Sequence, residues 1–108
     1  MLDIYQVIRE VLGELRPVVD RVERRDQDLS RQMRRAASSI LLNCGEGSYS
    51  QGRNQQARFH TAMGSAGETL ACLHVAMAFG YIDGCDAGLL DRLDRIIATL
   101  KRLARPCG

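Results

Sequence analysis

A glycine-rich break, "GSYSQGRN" at residues 47–54, is the segment with the most obvious chemical potential. Its glycine spacing is that of a phosphate-binding loop, but Arg53 and Asn54 stand where that loop needs Lys and then Ser or Thr. The lysine would reach the terminal phosphates and the hydroxyl would bind magnesium, and no strand precedes the segment. The sequence therefore predicts the corner of a helical hairpin. Free amides at the start of the next helix, with Arg53, could still hold one phosphate.

The two histidines cannot share one metal ion, and for each of them a packing or surface role is favoured over proton chemistry, because the sequence places no carboxylate or nucleophile to work with it. His60 and His74 are fourteen residues apart on one predicted helix, or about 21 Å, so one metal ion cannot bind both. The four cysteines form no Cys-x-x-Cys pair: Cys44 and Cys72 lie in apolar helical phases, and Cys85 and Cys107 are expected to be exposed. We therefore expect no metal and no cofactor.

Three polar residues, Asn43, Glu46 and Glu68, lie near apolar or small-residue stripes. Paired carboxylates could do acid–base work. A hydrolase or nuclease would also need a metal-ligand set or an activated nucleophile, and neither is found. The sequence thus favours a structural polar network, in which Arg35 or Arg34 pairs with a glutamate and Asn43 ties down a helix end. The protein is not predicted to be an enzyme.

Basic residues are unevenly distributed. Residues 29–60 hold five bases against one acid and residues 91–108 five against two, although the net charge is only +2. Fourteen of the fifteen bases are arginines, which suit bidentate phosphate or carboxylate contacts, although a GC-rich genome would give the same bias. Such a run is usually a solvated face, but merged basic faces would attract a polyanion. The predicted nucleic-acid-binding residues are Arg31, Arg34, Arg35, Arg53, Arg58, Arg92, Arg95, Lys101, Arg102 and Arg105.

The elements that must position these residues are four amphipathic helices. Apolar residues recur every three or four positions from Ile4 to Val22, through Pro17, which predicts one kinked helix. Asp26 or Asp28 could cap a second helix ending near Gly45 and Gly47. The predicted inward stripes of the other helices are Leu29, Met33, Ala36, Ala37, Ile40 and Cys44; then Phe59, Met63, Ala66, Leu70, Leu73 and Met77; then Leu89, Leu93, Ile96, Leu100 and Leu103.

No segment alternates with a period of two, so nothing predicts a sheet. The pattern predicts an all-α fold, an up-down-up-down antiparallel four-helix bundle that forms a single domain over residues 1–108. No apolar run is long enough to cross a membrane, and the N-terminus lacks the features of a signal peptide, so a cytoplasmic protein is expected.

Small residues form a stripe on the predicted third helix. Gly64, Gly67 and Ala71 share one helical phase. Each glycine costs roughly 1 kcal/mol in a helix relative to alanine. The stripe therefore indicates that another backbone comes close, either another helix of the bundle or another subunit.

The central stretch of the chain resembles a known family. "QMRRAASSILLNCGEG" followed by "ARFHTAMGSAGETLACL" is similar to the four-helix-bundle proteins encoded within intervening sequences of bacterial 23S ribosomal RNA genes. The matching positions are Gln32, Arg34, Arg35, Ala36, Ser39, Ile40, Asn43, Glu46, Gly47, Gly64, Ser65 and Glu68. Two positions depart from the family pattern, which often has proline at Leu41 and alanine at Gly45.

The resemblance implies a ring-like homo-oligomer, a pentamer, and no enzymatic activity. It also points to a relative, the accessory variability protein of diversity-generating retroelements, which binds nucleic acid and partners a reverse transcriptase. Our leading interpretation is an oligomeric bundle that presents an arginine-rich surface to structured RNA or DNA. The alternative is a ring-forming protein-interaction scaffold whose arginines serve only salt bridges between subunits.

Overall fold

The computed structural model describes residues 3–84 and 87–106, most of which form four α-helices. The helices are α1 (Asp3–Glu23), α2 (Gln27–Ser48), α3 (Gly52–Ala78) and α4 (Ala87–Leu103). Each helix packs against its neighbours in the chain, α4 closes back onto α1, and α2 and α3 form the most extensive pair. The predicted all-α, up-down-up-down four-helix bundle is confirmed.

Helix α1 continues without a break through Pro17. The proline is on the exposed side, while one apolar stripe faces the core. The prediction of one helix rather than two is therefore confirmed. The buried residues of α1 are Ile8, Val11, Leu15, Val18, Val19 and Val22.

Helix α2 begins at one of the two caps that the sequence offered. The Asp26 carboxylate accepts a hydrogen bond from the Leu29 amide at 2.9 Å, which satisfies one of the free donors of the first turn. All six residues of the predicted stripe are buried. The helix runs to Ser48, slightly beyond the predicted end.

The glycine-rich break forms the corner between α2 and α3. The Tyr49 and Ser50 amides each donate to a carbonyl three residues back, both at 3.2 Å. The Gln55 side chain donates to the carbonyls of Gly47 and Ser50, each at 3.0 Å. Gly52 has a φ of +58°, which favours glycine because it has no Cβ. This segment is a tied-down helical corner.

Helix α3 is rotated slightly from the predicted orientation. Phe59, Ala66 and Leu73 are buried as predicted, but Met63, Leu70 and Met77 are only partly buried. The buried face is instead shared with smaller side chains, which allow a close approach to α2: Ala62, Ser65, Thr69, Cys72 and Ala76. In α4 the stripe is buried through Leu100, and Leu103 is half-buried.

Candidate nucleic-acid interface

Half of the ten predicted nucleic-acid-binding residues already have carboxylate partners. Most of these pairs are largely exposed and so contribute little to stability, but each partly neutralises its cation. The pairs are Arg31 with Asp28 (3.6 Å), Arg34 with Asp20 (3.4 Å) and Glu23 (2.9 Å), Arg58 with Glu46 (3.0 Å), Arg92 with Glu14, and Arg95 with Asp91 (3.1 Å).

Arg34 joins α2 to α1 near their shared turn. Its guanidinium donates to Glu23 of α1 at 2.9 Å and to Ser30 of its own helix at 2.8 Å. Hydrogen bonding to Arg34, together with its charge, lowers the pKa of the Glu23 carboxyl below its ordinary value. The same contact raises the pKa of Arg34. Arg34 therefore acts in an interhelical ion-pair cluster.

A polar network links α2 to α3, with a different arginine from the one predicted. The Ser65 hydroxyl donates to Ser39 Oγ at 2.7 Å, and Asn43 Nδ2 donates to the same oxygen at 3.0 Å. Asn43 Oδ1 then accepts from Arg58 at 3.4 Å, and Arg58 pairs with Glu46. The glutamate partner is thus Arg58, which stands opposite Glu46 where the two helices pack, instead of Arg34 or Arg35.

Two residues assigned to that network, Arg35 and Glu68, are outside it. Both side chains are exposed, and no hydrogen bond or ion pair joins either of them to another residue in the described ranges. The sequence suggested this grouping because Asn43, Glu46 and Glu68 lie near apolar or small-residue stripes, where an arginine could pair with a glutamate. Partner choice, however, depends on how α2 and α3 are aligned along their axes.

Five of the ten predicted residues have no carboxylate partner among the described residues. Arg35 lies in a cleft between α2 and α3. The other four gather at one end of the bundle, which we call the basic end: Arg53, Lys101, Arg102 and Arg105. Arg53 is in the first turn of α3, and the other three are in or just after the last turn of α4. Helices α3 and α4 are antiparallel neighbours, so the start of one lies beside the end of the other. Within residues 3–84 and 87–106, none of the four has a carboxylate partner.

A cleft of about 260 Å³ lies between α3 and α4 at the basic end. His60 and Met63 of α3 line it together with Lys101, Arg105 and Pro106. His60 is exposed and lies two helical turns after Arg53 on the same face of α3. The sequence favoured a packing or surface role for His60 over proton chemistry. Its neighbours from α4 were not visible in the sequence, because they are some forty residues away in the chain.

Charge is distributed very differently at the two ends. Around the basic end, residues 3–9, 42–60 and 97–106 hold six bases against two carboxylates, a formal charge of +4. At the opposite end, residues 17–35, 70–84 and 87–91 hold six bases and six carboxylates, which cancel. The bundle thus has a net positive field at one end only.

The start of α3 adds to this field. Its N-cap residue, Gln51, makes no side-chain hydrogen bond to the first turn, which also contains no acidic residue. The first amides of a helix have no acceptor within the helix, and the helix dipole places partial positive charge there. The nearby Tyr49 ring is 82% exposed. The corner therefore offers backbone donors, an arginine and one aromatic face.

The cysteines and the metal-ligating side chains of the described residues do not form a cluster comparable to the basic end. Cys44 and Cys72 are buried, and burial raises the pKa of each thiol. Cys85 and Cys107 lie outside the described residues. Among the residues the structure describes, no group of three metal-ligating side chains comes together, and no helix is long and apolar enough to cross a membrane.

The comparison with family models decides which family this is. The model of the 23S rRNA-intervening sequence protein matches residues 1–102. The chain belongs to this family. The match covers all but the last six residues of the chain, so the resemblance of the central stretch is confirmed and extended. As a 23S rRNA-intervening sequence protein, the chain has Arg53, Lys101 and Arg102 inside the matched region and Arg105 just beyond it. No curated protein and no solved structure matches it.

Proposed function

We propose that this protein is a non-enzymatic bundle that binds structured RNA or DNA through its basic end. The observation that carries the proposal is the gathering of Arg53, Lys101, Arg102 and Arg105, without carboxylate partners among the described residues, beside the uncapped start of α3. Cations that are not already paired can release counterions from a phosphate backbone, which is the main source of nucleic-acid affinity. Of the ten predicted residues, five are set aside because they pair with carboxylates, and Arg35 is set aside because it lies between α2 and α3 and not at the basic end.

The side chains and backbone amides available at the basic end are of the kinds that bind phosphates. Arginine, lysine and helix N-terminal amides position a nucleic-acid backbone but do not read its sequence. Tyr49 is the exposed aromatic residue near these cations, and stacking on one ring adds little sequence information. The ligand is therefore a folded or duplex nucleic acid recognised through its backbone.

A homo-oligomer, five-membered by the resemblance, is the second part of the proposal. An added Cβ at Gly64 or Gly67 would meet nothing within 4 Å, so no described helix of this chain approaches the small-residue stripe. The same side of α3 carries Ala71 and Val75, both exposed. A helix from a second subunit fits there, and a ring would repeat the basic end once per subunit.

The test of nucleic-acid binding compares charge losses at the two ends. We expect Arg102→Gln/Arg105→Gln to weaken binding of a labelled RNA hairpin in fluorescence anisotropy by at least tenfold. The matched control, Arg21→Gln/Arg24→Gln, removes the same charge at the opposite end and should change affinity much less. Equal losses in both variants would show that net charge, and not the basic end, determines binding. Helicity by circular dichroism checks that both variants fold.

The oligomeric state is tested independently by measuring the mass of the assembly in solution. Gly67→Arg should convert the assembly to monomers in light scattering after gel filtration, while Gly13→Arg, a matched change at an exposed α1 glycine with nothing nearby, should not. A monomeric wild-type protein would contradict the ring.

A protein-interaction scaffold is the second candidate function. It is favoured by exposed apolar side chains, Leu42 at 64% and Phe79 at 68%. Its partner could be a reverse transcriptase or another protein, as the resemblance suggests. Salt separates the two candidates, because phosphate contacts weaken steeply as salt rises and an apolar interface does not.

A further inference from the structure

A polar cleft of about 400 Å³ runs between α2 and α3, well away from the basic end. Its volume is in the usual range for small-molecule sites. Among the residues that line it are Gln32, Arg35, Ala36, Ser39, Ser65 and Glu68. These six are half of the twelve positions on which the family resemblance rests.

The cleft contains one available cation and one available anion. Arg31, which also lines it, is paired with Asp28 at 3.6 Å. Arg35 of α2 and Glu68 of α3 have no hydrogen bond or ion pair to any residue of the described chain. A purely anionic ligand would face Glu68, and a purely cationic one would face Arg35. A ligand that carries both charges would therefore be the complementary one.

The base of the cleft supplies a further donor. Ser65 and Ser39 share one hydrogen bond of 2.7 Å, and Asn43 Nδ2 donates to Ser39 Oγ. Two hydroxyl groups have two protons, and their mutual bond uses only one of them. One hydroxyl proton therefore remains for an acceptor in the cleft, on the same helix pair as the Arg35 guanidinium.

We propose that this cleft binds a small zwitterion of the amino-acid class. The ligand's carboxylate accepts from the Arg35 guanidinium and the free serine hydroxyl, and its protonated amine donates to the Glu68 carboxylate. Charge-assisted hydrogen bonds of this kind are among the strongest that proteins make. The site is independent of nucleic-acid binding at the basic end.

The test is calorimetric titration of the full-length protein with glycine, β-alanine, γ-aminobutyrate and ε-aminocaproate, which space the same two charges at increasing distances. We expect saturable binding of at least one, with a Kd of about 1 mM or tighter. Acetate and methylammonium, which each carry one of the charges, should not saturate. Failure of the whole series, or equal binding of the single-charge ions, would overturn the proposal.

Variants assign the binding to the cleft. Arg35→Gln and Glu68→Gln should each weaken the best ligand by about tenfold or more, because each loses a charged hydrogen bond. Arg9→Gln and Asp94→Asn, matched changes at exposed positions outside the cleft, should leave it unchanged. A double-mutant cycle measures whether Arg35 and Glu68 stabilise each other in the free protein. If they do, and if neither substitution changes ligand affinity, the two residues form a plain interhelical salt bridge and the proposal is overturned.

Discussion

Gly47 should be one of the positions least tolerant of a single added methyl group. A Cβ there would lie 2.7 Å from Cε1 and 2.9 Å from Cδ1 of the Phe59 ring. Unstrained carbon atoms stay about 3.5–4.0 Å apart, so the ring would have to move by roughly 1 Å. Phe59 is only 2% exposed and is enclosed by the core. The Phe59 ring therefore has little room to move away from an added methyl group.

The expected cost of Gly47→Ala follows from two opposing effects. Forcing an extra carbon into a packed core costs about 1–3 kcal/mol. Alanine recovers at most about 1 kcal/mol of helix propensity, and less at Gly47 because the helix ends at the next residue. We expect a net loss of about 1–2 kcal/mol in the free energy of unfolding.

Urea denaturation followed by circular dichroism measures this loss, with Gly13→Ala as the control. Gly13 is exposed inside α1, and an added Cβ meets nothing within 4 Å. That variant should gain about 0.5–1 kcal/mol. Adding Phe59→Leu to Gly47→Ala should recover part of the steric cost. If Gly47→Ala is as stable as Gly13→Ala, the contact with Phe59 does not constrain the corner, and the reasoning is wrong.

Two further predictions concern the turn between α1 and α2. Asp26→Ala should lower stability by about 1 kcal/mol in urea denaturation because the cap on the Leu29 amide is lost, whereas Asp26→Asn should keep most of it; equal losses would contradict the cap. Because Arg34 lowers the pKa of Glu23 from its ordinary 4.5, the stabilisation by Glu23 is complete above pH 4.5 and is lost as pH falls through the lowered value. The stability difference between wild type and Glu23→Gln should therefore shrink in acid, and a constant difference would rule out the linkage.

The sequence predicted most of the fold because helix formation is encoded locally. Apolar periodicity and the cap at Asp26 involve residues that are close together in the chain, so they can be recognised without knowledge of the tertiary structure. The orientation of α3 was predicted less well because its buried face includes small residues such as Ala62 and Ser65. Alanine and serine occur on surfaces as well as in cores, so apolar periodicity does not mark them as buried, although here they allow close packing against α2.

The candidate site could be predicted only in part. Two basic segments were visible in the sequence, but Arg34 belongs with Asp20 and Glu23 of another helix, eleven to fourteen residues away. The same holds for Arg58, whose partner is set by the alignment of α2 and α3. Which cations remain without a carboxylate is a property of the packed bundle. For that reason the basic end emerges only from the three-dimensional structure.

The most direct test of the central claim is the affinity of the wild-type protein for a labelled RNA hairpin across a salt series. Four phosphate contacts at one basic end predict a plot of log K against log salt with a slope of about −3 to −4, at about 0.9 per phosphate for a duplex. A ring that engages several basic ends at once would steepen the slope further. Absence of binding at low salt, or affinity that does not change with salt, would contradict nucleic-acid recognition by the basic end.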